Sequence, residues 1–169
     1  MAGFVGSVRP CRAVDLPALD AAFPLGDVHR HRIDGQIADR WLYLIAFAPG
    51  PVGHCLVHWH GPTILSVRDV LPHCVEINHL YVAEHARGRG SGSALLAEAE
   101  SSAVVRRRTT IGLGVGDDNP SARRLYTSLG YAPSGARYAV DYEYPDAAGR
   151  LVPAHEAGDF LVKSLPATA

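Results

Sequence analysis

Lysine is almost missing from this chain. Lys163 is the only one, so fifteen of the sixteen basic residues are arginine, which we read mainly as compositional bias. That scarcity excludes a P-loop, because Gly-x-x-x-x-Gly-Lys-Ser/Thr needs a lysine beside its glycines and Lys163 lies far downstream of them. Net charge is missing too: the formal value is -1, with a pI near 6.7. With no basic excess, neither nucleic acid nor an anionic membrane is an expected partner. Cysteine is scarce and odd in number. Cys11, Cys55 and Cys74 are widely spaced, which suits small buried hydrophobes in a reducing cytosol. No apolar run reaches membrane-spanning length. The N-terminus lacks the charged start and long apolar core of a signal peptide, so the expected location is cytoplasmic. Neither Cys-x-x-Cys nor His-Glu-x-x-His occurs. His54, His58 and His60 share strand parity, so a zinc site is conceivable, but no such motif supports it and the expected metal is none.

What is present is the composition of one ordinary globular domain over residues 1–169, 47% hydrophobic and 20% charged. Residues 1–6 read as loose and Val8 to Ala13 as a short strand. Asp15 is a plausible N-cap for a helix presenting Leu16, Leu19 and Phe23 on one face, stopped by Pro24. Val28, Ile33 and Ile37 hint at a second helix that Gly35 weakens. Trp41–Phe47 and Val52–His60 read as a hairpin around Ala48-Pro49-Gly50-Pro51. Residues 61–72 read as a loop with a weak segment at 64–67, and Cys74–Val82 as a strand. A helix from Ser91 to about Arg106 leads to a strand at Thr110–Val115, a crossover of ordinary length.

Asn119 as N-cap, Pro120 at the first helical position and Gly130 as the stop punctuate another helix. It presents Ala122, Leu125, Tyr126 and Leu129 at i, i+3, i+4, i+7. Arg137–Tyr144 reads as a strand with Tyr138, Val140, Tyr142 and Tyr144 on one side and Asp141 and Glu143 on the other. Residues 145–158 read as a loop and Asp159–Leu165 as the last strand.

The chain is organised around Glu76 to Leu96. A strand without Gly or Pro runs into Arg87-Gly88-Arg89-Gly90-Ser91-Gly92-Ser93, and a helix opens there. Glycine permits sharp turns and close approach, and a helix N-terminus offers free N–H groups and a dipole to an anion. The bare physics predicts a phosphate cradle; the plainer reading is a glycine-rich turn capping a helix. A dinucleotide fingerprint, Gly-x-Gly-x-x-Gly with an acidic residue about twenty positions on, fails because Ser occupies 93 and Thr-Thr-Ile lies near 110. Arg87-x-x-Gly90-x-Gly92 fits a third pattern, Arg/Gln-x-x-Gly-x-Gly/Ala, at every position.

That pattern resembles the pyrophosphate loop of the GNAT superfamily, the acyl-CoA-dependent N-acyltransferases. Leu80-x-Val82 precedes it, and Asn119-x-x-Ala122-x-x-x-Tyr126-x-x-x-Gly130-Tyr131 follows a further strand, again in the family's order. The specific match covers residues 74–131, roughly a third of the chain. It implies an α/β fold with a mixed, mostly antiparallel twisted sheet of about six to seven strands and helices on both faces.

The resemblance implies transfer of an acetyl group from acetyl-CoA, as co-substrate, to a primary amine of a small molecule or peptide. The alternative is a noncatalytic CoA-binding or regulatory module on the same fold; homodimerisation stays open. It also implies site roles. Backbone N–H groups from Arg89 to Ser93, with Gly88, Gly90, Ser91 and Gly92 in the same loop, would hold the pyrophosphate, with Arg87 as countercharge. The backbone of Leu80, Tyr81 and Val82 would pair with the pantetheine arm and lie near the thioester oxygen. Tyr126 would face the cofactor sulfur and serve as proton donor, where periodicity alone makes it a core aromatic. Asn119 would contact the cofactor arm, compatibly with capping its helix. Glu76 stands six residues before Val82, where histone-type members carry a general base; ordered water or His79 are the other proton acceptors, and a surface strand carboxylate the plainer reading.

Overall fold

The structure is a computed structural model that describes residues 3–145 and 150–167, with side chains at 144 and 145 left aside. Seven strands form one sheet in the order β1-β2-β3-β4-β5-β7-β6. They are β1 (Ser7–Pro10), β2 (Trp41–Phe47), β3 (Pro51–His58), β4 (Val75–Val82), β5 (Thr110–Gly116), β6 (Ala132–Pro145) and β7 (Leu151–Ser164). Only β4 and β5 are parallel, joined through the helix α4 (Ser91–Val105); every other pairing is antiparallel. The mixed, mostly antiparallel sheet expected from the sequence is therefore observed.

One face is closed by α4 and α5 (Pro120–Ser128). Leu95, Leu96, Ala99 and Ala103 meet Val57, Val75, Ile111 and Leu113 there in the main core. That apolar burial is the principal stabilising term, roughly 1.5–3 kcal/mol per large side chain. The other face carries α1 (Leu16–Ala22) and α2 (Val28–Ile37) over β2 and β3, with Leu19, Phe23, Ile33, Tyr43 and Ile45 beneath them. A third helix, α3 (Leu65–Val70), lies over Tyr138 and Phe160 at the β6–β7 end. Between α2 and α3, no helix on that face packs closely on β4 or β5.

Several elements depart from the sequence reading. Asp15 stands at the N-cap position of α1 as expected, but its side chain makes no hydrogen bond to the first turn of that helix. Its carboxylate takes two hydrogen bonds from Arg9 at 2.8 Å and one from the Arg12 N–H at 2.8 Å, tying the turn back to β1. The weak segment at 64–67 belongs to α3. In α2 the inward face mixes apolar and polar residues: Ile33 is buried together with His29 and Arg32, while Ile37 is 77% exposed and Val28 exposed. Gly35 does not break this helix. A Cβ there would meet the Trp41 indole at 2.0 Å, so glycine is what lets the ring lie against the helix. The region read as a loop at 145–158 is largely strand: β7 begins at Leu151, while 146–149 lie outside the described residues. β6 begins at Ala132, five residues before the expected start.

Candidate active site

Parallel β4 and β5 share only two rungs, Val75↔Ile111 and Glu76↔Gly112. Beyond them the strands separate, and a cleft of about 270 Å³ opens between Ile77, His79 and Leu80 on one side and Leu113, Val115 and Asn119 on the other. From Ile77 onward the β4 edge has no partner strand toward β5, so its peptide groups are free to pair with an extended ligand.

A bulge sets which side chains reach which face. His79 and Leu80 together oppose Cys55, between the pairs His54↔Tyr81 and Leu56↔Asn78. His79 takes a positive φ of 51°, rare for a residue with a side chain, and donates its N–H to the Asn78 Oδ1 at 2.7 Å. The bulge puts Leu80 and Val82 against the α4 side and turns Tyr81 to the open face, where it stacks on His54 with ring centroids 5.8 Å apart.

At the far end of β4 the glycine loop is built as expected. Gly88 and Gly90 have φ of 71° and 85°, and Gly90 is the N-cap of α4 with no side-chain hydrogen bond to the first turn. The first intrahelical bond is Ala94 N–H to the Gly90 carbonyl at 2.9 Å. The N–H groups of Ser91, Gly92 and Ser93 therefore have no intrahelical acceptor and mark the positive end of a fifteen-residue helix. Arg87 is spoken for in part: its Nε–H donates to the Val82 carbonyl at 3.0 Å, which pins the loop to the end of β4. Gly92 does not keep space open for an anion. A Cβ there would lie 3.5 Å from Leu125 Cδ2, facing inward toward α5.

Asn119 caps α5 through Oδ1, which accepts the Ala122 N–H at 3.0 Å, and it lines the cleft as well. Tyr126, on the same helix, lines the cleft while being only 8% exposed. None of the hydrogen bonds among the described residues uses its hydroxyl. Burial pushes its pKa up to about 12, so the phenol stays protonated and able to donate.

Glu76 stands at the last rung before the splay, on the open face, and is 3% exposed. Burial raises its pKa, opposed by the Thr63 N–H, which donates to Oε2 at 2.9 Å. Glu76 is not itself among the residues lining the cleft, but two other titratable groups are. His79 is exposed at the rim, and its pKa is lowered first by partial desolvation among its neighbours and then by Arg32. Glu156, on β7, accepts from the Tyr138 hydroxyl. Sequence reasoning missed Glu156 because its segment reads as a loop; the strand alternation that would place it is interrupted by Pro153 and Gly158.

The histidines of β3 do not act as a set. His54 is buried beside Arg32, His58 packs on Trp41, and His60 lies in the turn beyond the strand. Among the described residues no three His, Cys, Asp or Glu are placed to hold a metal. Cys11, Cys55 and Cys74 are buried free thiols with pKa values pushed up to about 12, which removes them as nucleophiles. Asp141 and Glu143 lie beyond the last β5 rung, on an open depression of the β6–β7 hairpin, where Asp141 pairs with His155 at 2.8 Å. No helix is long and apolar enough to cross a membrane.

The family model described as the acetyltransferase (GNAT) family matches residues 18–131. Among solved structures, a ribosomal-protein-alanine N-acetyltransferase from Brucella melitensis is 23% identical, with TM-score 0.68 over 94% of this chain and 99% of its own. A phosphinothricin acetyltransferase from Sinorhizobium meliloti, solved in complex with acetyl-CoA, is 18% identical, with TM-score 0.66 over 96% and 89%. Arabidopsis thaliana NAA60, solved with a bisubstrate analogue, is 16% identical, with TM-score 0.65 over 97% and 100%. No curated protein matches the chain.

Proposed function

Because the chain belongs to the acetyltransferase (GNAT) family, we propose that it moves the acetyl group of acetyl-CoA to a primary amine of a small molecule or peptide. The observation that carries this is the splay: a free β4 edge runs from Ile77 to the uncapped N-terminus of α4, with Tyr126 lining the gap beside it. These residues fit the co-substrate. The N–H groups of Ser91, Gly92 and Ser93 suit a pyrophosphate, and the edge through Leu80, Tyr81 and Val82 suits an extended amide-bearing arm. Acetyl-CoA bound there supplies an activated acyl carbon and a thiolate leaving group.

The chain's own groups manage charge and protons. The acceptor ammonium gives up a proton, its nitrogen bonds to the acyl carbon, the C–S bond breaks, and the thiolate takes up a proton. Overall, ammonium and thioester become amide, thiol and one free proton. Glu76 is the proposed acceptor of the first proton, since burial biases its carboxyl toward holding one. His79, neutral at neutral pH and lining the cleft, is the competing acceptor. A phenol near pKa 12 is a weaker acid than an ordinary thiol, so Tyr126 acts as a hydrogen-bond donor to the departing sulfur more than as a complete proton source.

Thermal-shift measurement with acetyl-CoA and with NAD tests the ligand class: acetyl-CoA should raise the melting temperature and NAD should not. A shift with NAD alone would overturn the assignment. Binding without turnover of any amine would instead leave a noncatalytic CoA-binding module.

A further inference from the structure

Arg32 is 7% exposed, yet no carboxylate among the described residues lies within ion-pair distance of it. The partly buried arginines Arg9 and Arg123, by contrast, pair with Asp15 and Asp159. A guanidinium is always charged and carries five N–H donors, and burying that charge without an anion is costly. Among the described residues no nitrogen of Arg32 is both buried and without a partner, so the donors that the protein leaves unmet reach solvent. Nη1 lies 3.5 Å from the His54 Nδ1, which must accept because Arg32 can only donate. The guanidinium also lies over the Tyr43 ring, 5.4 Å from its centroid. His29 is already committed, with Nε2 at 2.7 Å from the Phe23 carbonyl and Nδ1 at 2.7 Å from the Tyr43 hydroxyl.

The sequence places Arg32 there against its own patterning. α2 turns Arg32 and His29 inward beside Ile33 and leaves Val28 and Ile37 outside, which apolar burial alone would not select. The charge is felt by its neighbours: desolvation first, and Arg32 after it, lower the pKa values of His54 and His79, Arg32 adds to the lowering at His58, and His79 lines the cleft. The same face holds two carboxylates, Glu76 and Glu156, nearer β5. It therefore offers an unpaired cation toward α2 and negative groups toward the splay.

We propose that the acceptor is a free amino acid, whose carboxylate is bound by Arg32. A guanidinium fork matches a carboxylate in two parallel hydrogen bonds, and the ligand supplies the counterion the fold leaves out. This deepens the acetyl-transfer reading and rests on it. A peptide N-terminus has no carboxylate beside its amine and would leave Arg32 unpaired.

The test is free-CoA release with a panel of amino acids, each paired with its α-amide, and with simple amines lacking a carboxylate. The amide has the less basic amine, so intrinsic reactivity at neutral pH favours it. Wild type should nonetheless prefer the acid by about tenfold or more in kcat/KM, carried by KM. Arg32→Gln should abolish that preference and Arg32→Lys keep part of it, both with unchanged acetyl-CoA affinity by calorimetry. The lysine variant keeps the charge and guards against a folding failure in the glutamine one. Equal use of acid and amide by wild type, or a preference that survives Arg32→Gln, would overturn the proposal while leaving acetyl transfer standing. Turnover of no amine at all would remove both.

Discussion

Glu76 and Gly112 are the last rung between β4 and β5, and beyond them the two strands part. Everything assigned to the site hangs on that separation. It frees the edge of β4, admits Tyr126 from α5, and leaves Glu76 at the apex instead of inside a continued ladder. A carboxylate there is costly to hold charged, and burial raises its pKa from the ordinary 4.5.

The sign of that shift gives a first prediction. A folded carboxyl with a raised pKa binds its proton more tightly than the unfolded one, so stability falls as pH rises from the ordinary value through the raised one. Glu76→Gln removes the charge and keeps an acceptor for the Thr63 N–H. The variant should therefore gain thermal stability relative to wild type as pH rises through that window. If Glu76 is also the base, its rate deficit should be greatest below the acceptor's own pKa and shrink above it. A rate profile parallel to wild type would take Glu76 out of the mechanism and point to His79.

His54 gives the opposite dependence. Burial and Arg32 hold its pKa down to about 3, so the unfolded chain binds a proton that the folded one refuses between about pH 3 and 6.5. Stability should fall as pH drops through that range, by about 1.4 kcal/mol per pH unit from this residue alone. His54→Gln keeps an acceptor for Arg32 and loses the titration. Chemical denaturation at several pH values should show a shallower slope in the variant.

The glycines of the loop should respond differently from one another. Gly90 has a φ of 85°, and a Cβ there would meet the Phe4 backbone nitrogen at 3.2 Å. Gly90→Val should weaken acetyl-CoA binding by about tenfold or more, since left-handed backbone costs such residues 1–2 kcal/mol or above. Gly92 has an ordinary conformation and a Cβ site in normal contact with Leu125. Gly92→Ala should bind nearly as wild type, and Gly92→Val, which must push into α5, should not. Calorimetry on the three variants checks this; equal losses for Gly92→Ala and Gly90→Val would contradict it.

Much of this was legible in the residues, and the exceptions have physical reasons. The strand, glycine loop, helix and Asn119 cap follow local rules of backbone freedom and capping, so Gly90 and Asn119 stand in their expected places. The helix hinted at by Val28, Ile33 and Ile37 is present as α2, but its buried face joins Ile33 to the polar His29 and Arg32, which a pattern of inward apolar residues does not anticipate. β7 was misread for its first half because Pro153 and Gly158 break the alternation. Gly158 is there for packing: a Cβ would meet the Val115 carbonyl at 2.1 Å. The part of β7 read as a loop carries Glu156, and the unanticipated polar part of α2 carries Arg32. The glycine-loop side obeys local rules; the side of Arg32 and Glu156 depends on long-range contacts that no short stretch encodes.

Tyr126 concentrates the claim that this cleft performs chemistry. The deciding measurement is the rate of free-CoA release from acetyl-CoA with an amine panel, for wild type and Tyr126→Phe, alongside acetyl-CoA affinity by calorimetry. Phenylalanine keeps the buried ring and removes only the hydroxyl that finds no partner within the described residues. The account requires turnover by wild type and a kcat lowered by about 10- to 100-fold in the variant, the worth of a hydrogen bond to a developing charge, with affinity unchanged. Full activity in Tyr126→Phe would return the residue to a packing role, and wild type that binds acetyl-CoA yet acetylates no amine would contradict the account itself.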